Sequence, residues 1–255
     1  MARWSEVFGC ERPVALVTGS GAARVGRAVL ETLAARGCRV AVHANRACDE
    51  AADVARRLRE SGFEATHVCG DLTDETTARR VVREAAACWN RLDVVVNAAA
   101  IWERKPLESV VAADVRRHFE VNSVATFVVA QEAGLVMVAQ PLGGVIVNIG
   151  DWAAARPYVD YAAYFPSKGA VESLTRSLAV ELARRNSRVR VNAVLPGPVM
   201  LPLDLPSEER EAAIAGTLVR REGTPRHVAD AVLALVENDF ITGVCLPVDG
   251  GRRLA

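Results

Sequence analysis

This 255-residue chain has no excess of charge of either sign, since 31 Lys and Arg residues balance 31 Asp and Glu. No block of basic residues is dense enough to follow a phosphate backbone, which excludes a nucleic-acid partner and leaves room only for small, locally held anions. The six cysteines, Cys10, Cys38, Cys48, Cys69, Cys88 and Cys245, include no C-x-x-C pair and are joined by only four histidines. That pattern argues against a metal site and a disulfide framework and predicts reduced, mostly buried thiols. Long apolar runs are also missing. The longest charge-free stretch, 133 to 150, is broken by Gln140, Pro141, Gly143, Gly144 and Asn148, which suits a helix end followed by a buried strand better than a membrane span. The start, Met1, Ala2, Arg3, Trp4, Ser5 and Glu6, lacks the apolar core of a signal peptide. A cytoplasmic protein without a membrane partner is expected.

What the chain does have is the composition of an ordinary core, with 51% apolar and 24% charged residues. Short β-branched runs at 14 to 17, 38 to 43, 64 to 69, 93 to 97, 144 to 149, 188 to 194 and 244 to 248 alternate with helical patterns. The helices fall near 26 to 36, closed by Gly37, and at 48 to 61, 74 to 89, 109 to 139 with a break, 164 to 185 and 225 to 237. This alternation predicts an α/β fold with a seven-stranded, doubly wound parallel sheet. No linker divides the chain, so residues 1 to 255 are read as a single domain. One excursion, 198 to 224, carries Pro198, Pro202 and Pro206 and a short polar helix, and is a candidate substrate loop.

The first strand runs into Thr18, Gly19, Ser20, Gly21, Ala22, Ala23, Arg24, Val25 and Gly26 and then a helix. A glycine-rich turn there lets a pyrophosphate approach backbone N–H groups at a helix N-terminus; the alternative is a tight turn without a ligand. The second strand ends His43, Ala44, Asn45, Arg46, without the acid that would hold a ribose 2′-hydroxyl. Arg46, helped by His43, would instead accommodate a 2′-phosphate and so favour NADP(H), or else be a solvated Arg. Asp71 would accept from an adenine amino group or cap the helix that begins near Asp74. Tyr164 and Lys168 lie four apart and share one helix face, with Pro166 tolerable only in the first turn. An ammonium beside a phenol lowers the phenol pKa, which makes Tyr164 a usable acid near neutral pH.

With Thr18 and Gly19, Asp71 and Leu72, Asn97, Ala98 and Ala99, Val121 and Asn122, Tyr164 and Lys168, Val191, Asn192, Ala193, Pro196 and Gly197, and Val248, Asp249, Gly250 and Gly251 in this order, the sequence resembles the short-chain dehydrogenase/reductase family over nearly its whole length. The resemblance implies a Rossmann fold, usually tetrameric, that binds NADP(H) and transfers hydride from the nicotinamide to a small-molecule substrate. It implies that Tyr164 donates the proton, that Lys168 binds ribose and tunes the tyrosine, and that Asn122 holds a relay water. It places Gly19, Ser20, Arg24, Val25, Leu72, Asn97, Ala98, Pro196 and Gly197 along the cofactor, beside the residues named above.

Two departures stand out: Asp151 replaces the family's usual serine, and Arg24 stands in a glycine loop that is one residue longer than usual. Together with His43, Arg46, Trp102 and Tyr161 they look like the pteridine reductase branch. An ionised carboxylate only accepts hydrogen bonds, so Asp151 would suit a substrate edge bearing N–H groups, or would simply cap the following segment. Trp102 would cover the face of a flat substrate, with Arg24 over the substrate or a cofactor phosphate, or Trp102 would be plain core. The expected activity is reduction of a pterin-like heterocycle, with carbonyl reduction and a catalytically silent NADP-sensing role as alternatives.

Overall fold

A computed structural model describes residues 4 to 255, so the first three residues of the expected leaderless start lie outside it. Seven parallel strands run in the order β3-β2-β1-β4-β5-β6-β7. They are β1 (Val14–Val17), β2 (Arg39–Ala44), β3 (Ala65–Cys69), β4 (Val94–Asn97), β5 (Gly144–Ile149), β6 (Val189–Pro196) and β7 (Cys245–Val248). Central strands such as β1, Val-Ala-Leu-Val, are apolar at every position because both faces of a parallel sheet are covered. On one face lie α2 (Val25–Ala35), α3 (Cys48–Glu60) and α9 (Pro225–Glu237). On the other lie α4 (Glu75–Ala87), α6 (Ala125–Val138) and α7 (Tyr164–Ala183). The chain order reverses between β1 and β4, the switch point at whose carboxyl strand ends sheets of this kind form a crevice.

The expected break in the long helix is a π turn, Glu120–Val124, between α5 (Ala112–Phe119) and α6. Such turns redirect side chains and recur at functional sites; this one carries Asn122. The whole run Ala112–Val138 is long and apolar enough to cross a membrane by length and composition, but it packs as a core helix with 61% of its most apolar window buried. Two elements of the 198 to 224 excursion and the N-terminus complete the chain: α8 (Ser207–Ala215), and α1 (Trp4–Phe8), which the sequence reading did not anticipate. Only five residues long, α1 is held by tertiary contacts: Trp4 and Phe8 are buried, and Trp4 Nε1 donates to the Arg36 carbonyl at 2.7 Å.

The cysteine expectation needs correction. Cys48 and Cys69 form a disulfide, with Cα atoms 5.7 Å apart, and of the four free thiols only Cys38 is buried. The pair is invisible in sequence because the register of β2 on β3, which sets Ala44 beside Cys69, brings together two residues 21 apart.

A buried polar chain crosses from the sheet to the helix that carries Tyr164. Asn97 Nδ2 donates to Asn148 Oδ1 at 2.9 Å, Asn148 Nδ2 to Thr175 Oγ1 at 3.0 Å, and Thr175 Oγ1 to the Val171 carbonyl at 2.8 Å. Replacing Thr175 with Val removes the acceptor and leaves the Asn148 amide unsatisfied in a site without water access. We expect T175V to lose about 1–3 kcal/mol in urea unfolding, and a stability equal to that of the parent would show that this chain does not fasten α7 to the sheet.

Candidate active site

The loop from β1 to α2 is built by close backbone approach. Gly19 has φ +67°, and a Cβ there would stand 2.9 Å from the Ala99 Cα. Thr18 Oγ1 accepts from the N–H groups of Ala98 and Ala99 at 3.0 and 3.1 Å, which binds the loop to the end of β4. Arg27, one turn into α2, donates from Nε to the Ser20 carbonyl at 2.7 Å and from Nη2 to the Gly21 carbonyl. Neither the glycine spacing nor the helix pattern marks Arg27 for this role. The N-cap residue of α2, Arg24, provides no side-chain cap. While the Arg27 N–H already donates to the Arg24 carbonyl at 3.0 Å, the N–H groups of Val25 and Gly26 at the start of this 11-residue helix are left for an anion.

His43 departs from expectation. Its Nδ1 accepts from the Gly19 N–H at 3.1 Å, and its Nε2, 3.1 Å from the Gly70 carbonyl, therefore carries the proton. Burial pushes its pKa down to about 4, so the ring is neutral and both nitrogens are engaged. It is a strut between the glycine loop and β3, not a partner for a 2′-phosphate. Arg46 and Arg24 are exposed. The Ser20 hydroxyl is likewise internal, donating to the Val17 carbonyl and accepting from the His43 N–H, so only its backbone faces a cofactor.

The remaining cofactor candidates are brought to the same crevice in different ways. Asp71 accepts from the N–H and hydroxyl of Thr73, while Asp74 caps α4 by accepting from the Thr77 N–H. Helix capping thus belongs to Asp74. Leu72 is buried and Ala98 half-buried. The Asn97 amide is occupied by Asn148 and by the Thr126 carbonyl. Pro196 ends β6, and Gly197 follows it because a Cβ there would stand 2.5 Å from the Asp249 Cα. Glycine turns, uncapped helix N–H groups and exposed guanidinium groups along one crevice fit a phosphate-bearing dinucleotide.

The structure brings Asp151, Tyr164 and Lys168 together as expected. Tyr164, in the first turn of α7, donates to Asp151 Oδ2 at 2.8 Å, and Asp151 Oδ1 accepts from the Ala153 N–H at 2.8 Å. The capping reading of Asp151 therefore holds, one oxygen capping the short turn Trp152–Ala154, while the other oxygen meets the tyrosine. Lys168 Nζ donates to the Ile149 carbonyl at 2.9 Å, and burial lowers its pKa to about 8 against the opposing pull of Asp151. Burial raises Asp151 above the usual carboxylate range. The expected lowering of the phenol pKa by Lys168 is overturned: burial and then the Asp151 charge push Tyr164 well above its ordinary value.

Asn122 is held by Ile101, accepting from its N–H at 2.9 Å and donating to its carbonyl at 3.0 Å, and it donates to Ser167 Oγ at 3.0 Å. Its amide thus pins the loop after β4 to α7. Trp102 is neither plain core nor an open platform. It stacks on Tyr161 with ring centroids 5.0 Å apart and planes 8° from parallel, so one face is covered by protein. Tyr161 also meets Tyr158 edge-on at 5.2 Å, a second aromatic that sequence reading did not single out. Arg104 joins this wall to the excursion, pairing with Asp160 at 3.1 Å and with Glu209 of α8 at 3.2 Å.

Comparison with known proteins agrees with this geometry. A family model described as enoyl-(acyl carrier protein) reductase matches residues 21–253. The chain is 37% identical over 243 residues to cis-4-hydroxycyclohexanecarboxylate dehydrogenase of Sinomonas cyclohexanicum, covering 93% of this chain and 95% of that protein. It is 34% identical over 254 residues to (3R)-3-hydroxyacyl-CoA dehydrogenase of Mus musculus, covering 93% and 95%. The crystal structure of a gluconate 5-dehydrogenase from Burkholderia cenocepacia in complex with NADP and tartrate superposes with a TM-score of 0.89 at 29% identity, covering 96% of this chain and 97% of that one. A pteridine reductase branch is not what these relatives represent. The chain belongs to the short-chain dehydrogenase/reductase family, whose members are nicotinamide-dependent oxidoreductases.

Proposed function

We propose that this protein is an NADP(H)-dependent carbonyl reductase that interconverts a ketone and a secondary alcohol on a small molecule. The observation that carries this reading is the buried set of Tyr164 on Asp151 with Lys168 beneath them. When bound, the nicotinamide supplies or takes the hydride. Tyr164, which keeps its proton across the neutral range, is the acid for the oxygen that becomes the alcohol. Lys168 contributes a positive charge next to that oxygen, and Asp151 fixes the phenol.

Asp151 bears on the choice of substrate. Asp151 already accepts from Ala153 and Tyr164, and Trp102 already stacks on Tyr161, so both residues have a role within the protein that calls for no pterin. The relatives named above carry names of hydroxyl compounds, which fits the carbonyl reading better. An ionised Asp151 repels a carbonyl oxygen, whereas a protonated Asp151 donates to it; burial, by raising this pKa, enlarges the protonated fraction. A silent NADP-sensing role has no observation in its favour.

NADPH consumption against ketones, 3-oxoacyl thioesters and dihydropterins tests the reading: ketones or thioesters should be turned over and dihydropterins not, and the reverse would restore the pterin assignment. Tyr164→Phe should lower kcat by about 10²–10⁴-fold while leaving NADPH affinity unchanged, and near-normal turnover would remove Tyr164 from the mechanism. Arg46→Asp should shrink or invert the preference for NADPH over NADH, because a guanidinium offers charge-assisted bonds to a 2′-phosphate; an unchanged ratio would sink that assignment.

The pH profile follows from two shifts of the same sign in effect. Lys168, lowered to about 8, loses its charge as pH rises through that value, and Asp151 loses its donor proton as pH rises through its own raised value. Ketone reduction should therefore fall with rising pH. In Asp151→Ser the hydroxyl donates at every pH, so only the fall near the lysine value should persist. Identical profiles for the parent and this variant would show that Asp151 does not titrate in the reaction.

A further inference from the structure

The disulfide between Cys48 and Cys69 takes no part in the chemistry described above, yet it stands among the residues read as the adenosine end of the cofactor site. Cys48 is the first residue of α3 and Cys69 the last of β3. Asn45 and Arg46 lie just before the one, and Gly70 and Asp71 just after the other. The same two stretches also touch by hydrogen bonds. The Gly70 N–H donates to the Ala44 carbonyl at 3.0 Å, and His43 Nε2 donates to the Gly70 carbonyl at 3.1 Å. The Asn45 amide meets the Asp71 carboxylate, which Thr73 first and then Asn45 and the Arg46 charge hold below the usual carboxylate range.

These hydrogen bonds fix the end of β2 but not the turn that follows it. Asn45, Arg46 and Ala47 are exposed, and Ala47, the N-cap of α3, offers no side-chain cap. The turn is closed at its far end by the Cys48 N–H, which donates to the Arg46 carbonyl at 2.9 Å. The covalent bond two residues beyond Arg46 therefore limits where its guanidinium can stand relative to Asp71. A turn held in this way pays less ordering entropy when it closes on an anion than one free to wander. Cys48 is exposed and Cys69 half-buried, so the bond lies at the surface and not in the core.

We propose that Cys48 and Cys69 form a redox modification site that sets cofactor affinity, the disulfide form binding NADP(H) more tightly than the dithiol. The proposal rests on the NADP(H) reading of Arg46. The switch needs a dithiol reductant. Its thiolate attacks one sulfur of the cystine, the S–S bond breaks, and the other cysteine leaves as a thiolate and takes up a proton. The second thiol of the reductant then displaces the first cysteine from the mixed disulfide, so that two electrons have passed to the protein and the reductant is a cyclic disulfide. Coupling of this kind is reciprocal: bound cofactor must favour the disulfide by the same factor by which the disulfide favours cofactor.

The test compares oxidised with dithiothreitol-reduced enzyme. Alkylation in denaturant should find four free thiols before reduction and six after it; six in the oxidised sample overturns the proposal. In fluorescence titrations the Kd for NADPH should rise about five- to twentyfold on reduction, at the lower end of ordinary coupling between sites. The Kd for NADH should rise less, because only the 2′-phosphate calls on Arg46. Cys48→Ser should bind NADPH like the reduced parent whether or not dithiothreitol is present, and a variant that still responds would place the effect elsewhere and overturn the assignment. Saturating NADPH should lower the potential of the parent disulfide, by about 30 mV for a tenfold difference in Kd, read from alkylation in dithiothreitol buffers of graded ratio. Equal NADPH affinity in the two states, or tighter binding by the dithiol, overturns the proposal and leaves the carbonyl reductase reading intact. Redox-dependent binding by an enzyme that reduces no ketone overturns that reading alone, since affinity is measured without turnover. Binding of NADPH in neither state overturns both.

Discussion

Lys168 holds an ammonium where almost no water reaches it, and the site is arranged around that constraint. At 4% exposure its charge is costly, as its lowered pKa shows, and the compensation comes from the Ile149 carbonyl and the nearby Asp151. Asp151 is under the same pressure, which raises its pKa, and the phenol under more. Three titratable groups in one dry pocket hold one another's protonation states in place. Any step that changes the charge on one changes the stability of charge on the others, which is the coupling that acid–base catalysis requires.

The frame that holds them is made of backbone and amide bonds more than of charge. Asn122 ties the loop after β4 to Ser167 of α7, and the Asn97, Asn148 and Thr175 chain ties β4 and β5 to the next turns of the same helix. The π turn at Glu120–Val124 is what allows one long helix to serve the core along α6 while Asn122 reaches Ile101. Packing and chemistry share these residues, so a change aimed at the site will also be felt in the sheet.

Most of the architecture was legible in the sequence, because buried parallel strands and amphipathic helices each leave a period. The seven strands and the major helices lie within a residue or two of their expected limits, save that the long broken helix begins at Ala112, three residues late, and Gly37 closes α2 as read. Legibility failed where a role depends on tertiary neighbours. Nothing local tells that His43, one residue before the end of β2, turns inward to Gly19 and Gly70, or that Cys48 faces Cys69. The tyrosine pKa was misjudged because a spacing of four reveals the lysine, while the burial and the carboxylate that prevail come from other segments. The stacking of Trp102 on Tyr161 was missed for a similar reason: both rings were named, but as separate contacts for substrate, and their pairing joins segments nearly sixty residues apart.

His43 and Arg46 together show how one strand end divides its work. The imidazole, neutral and sealed between two loops, fixes where the glycine turn sits, whereas the guanidinium three residues on is exposed and free to answer to an anion. If both had faced solvent, cofactor charge recognition would have depended on two mobile groups and the glycine loop would have lost an acceptor for the Gly19 N–H. With the strut inside, the geometry of the turn becomes independent of pH across the working range. Under the proposed function, charge discrimination then falls to surface arginines, which can change without disturbing the fold.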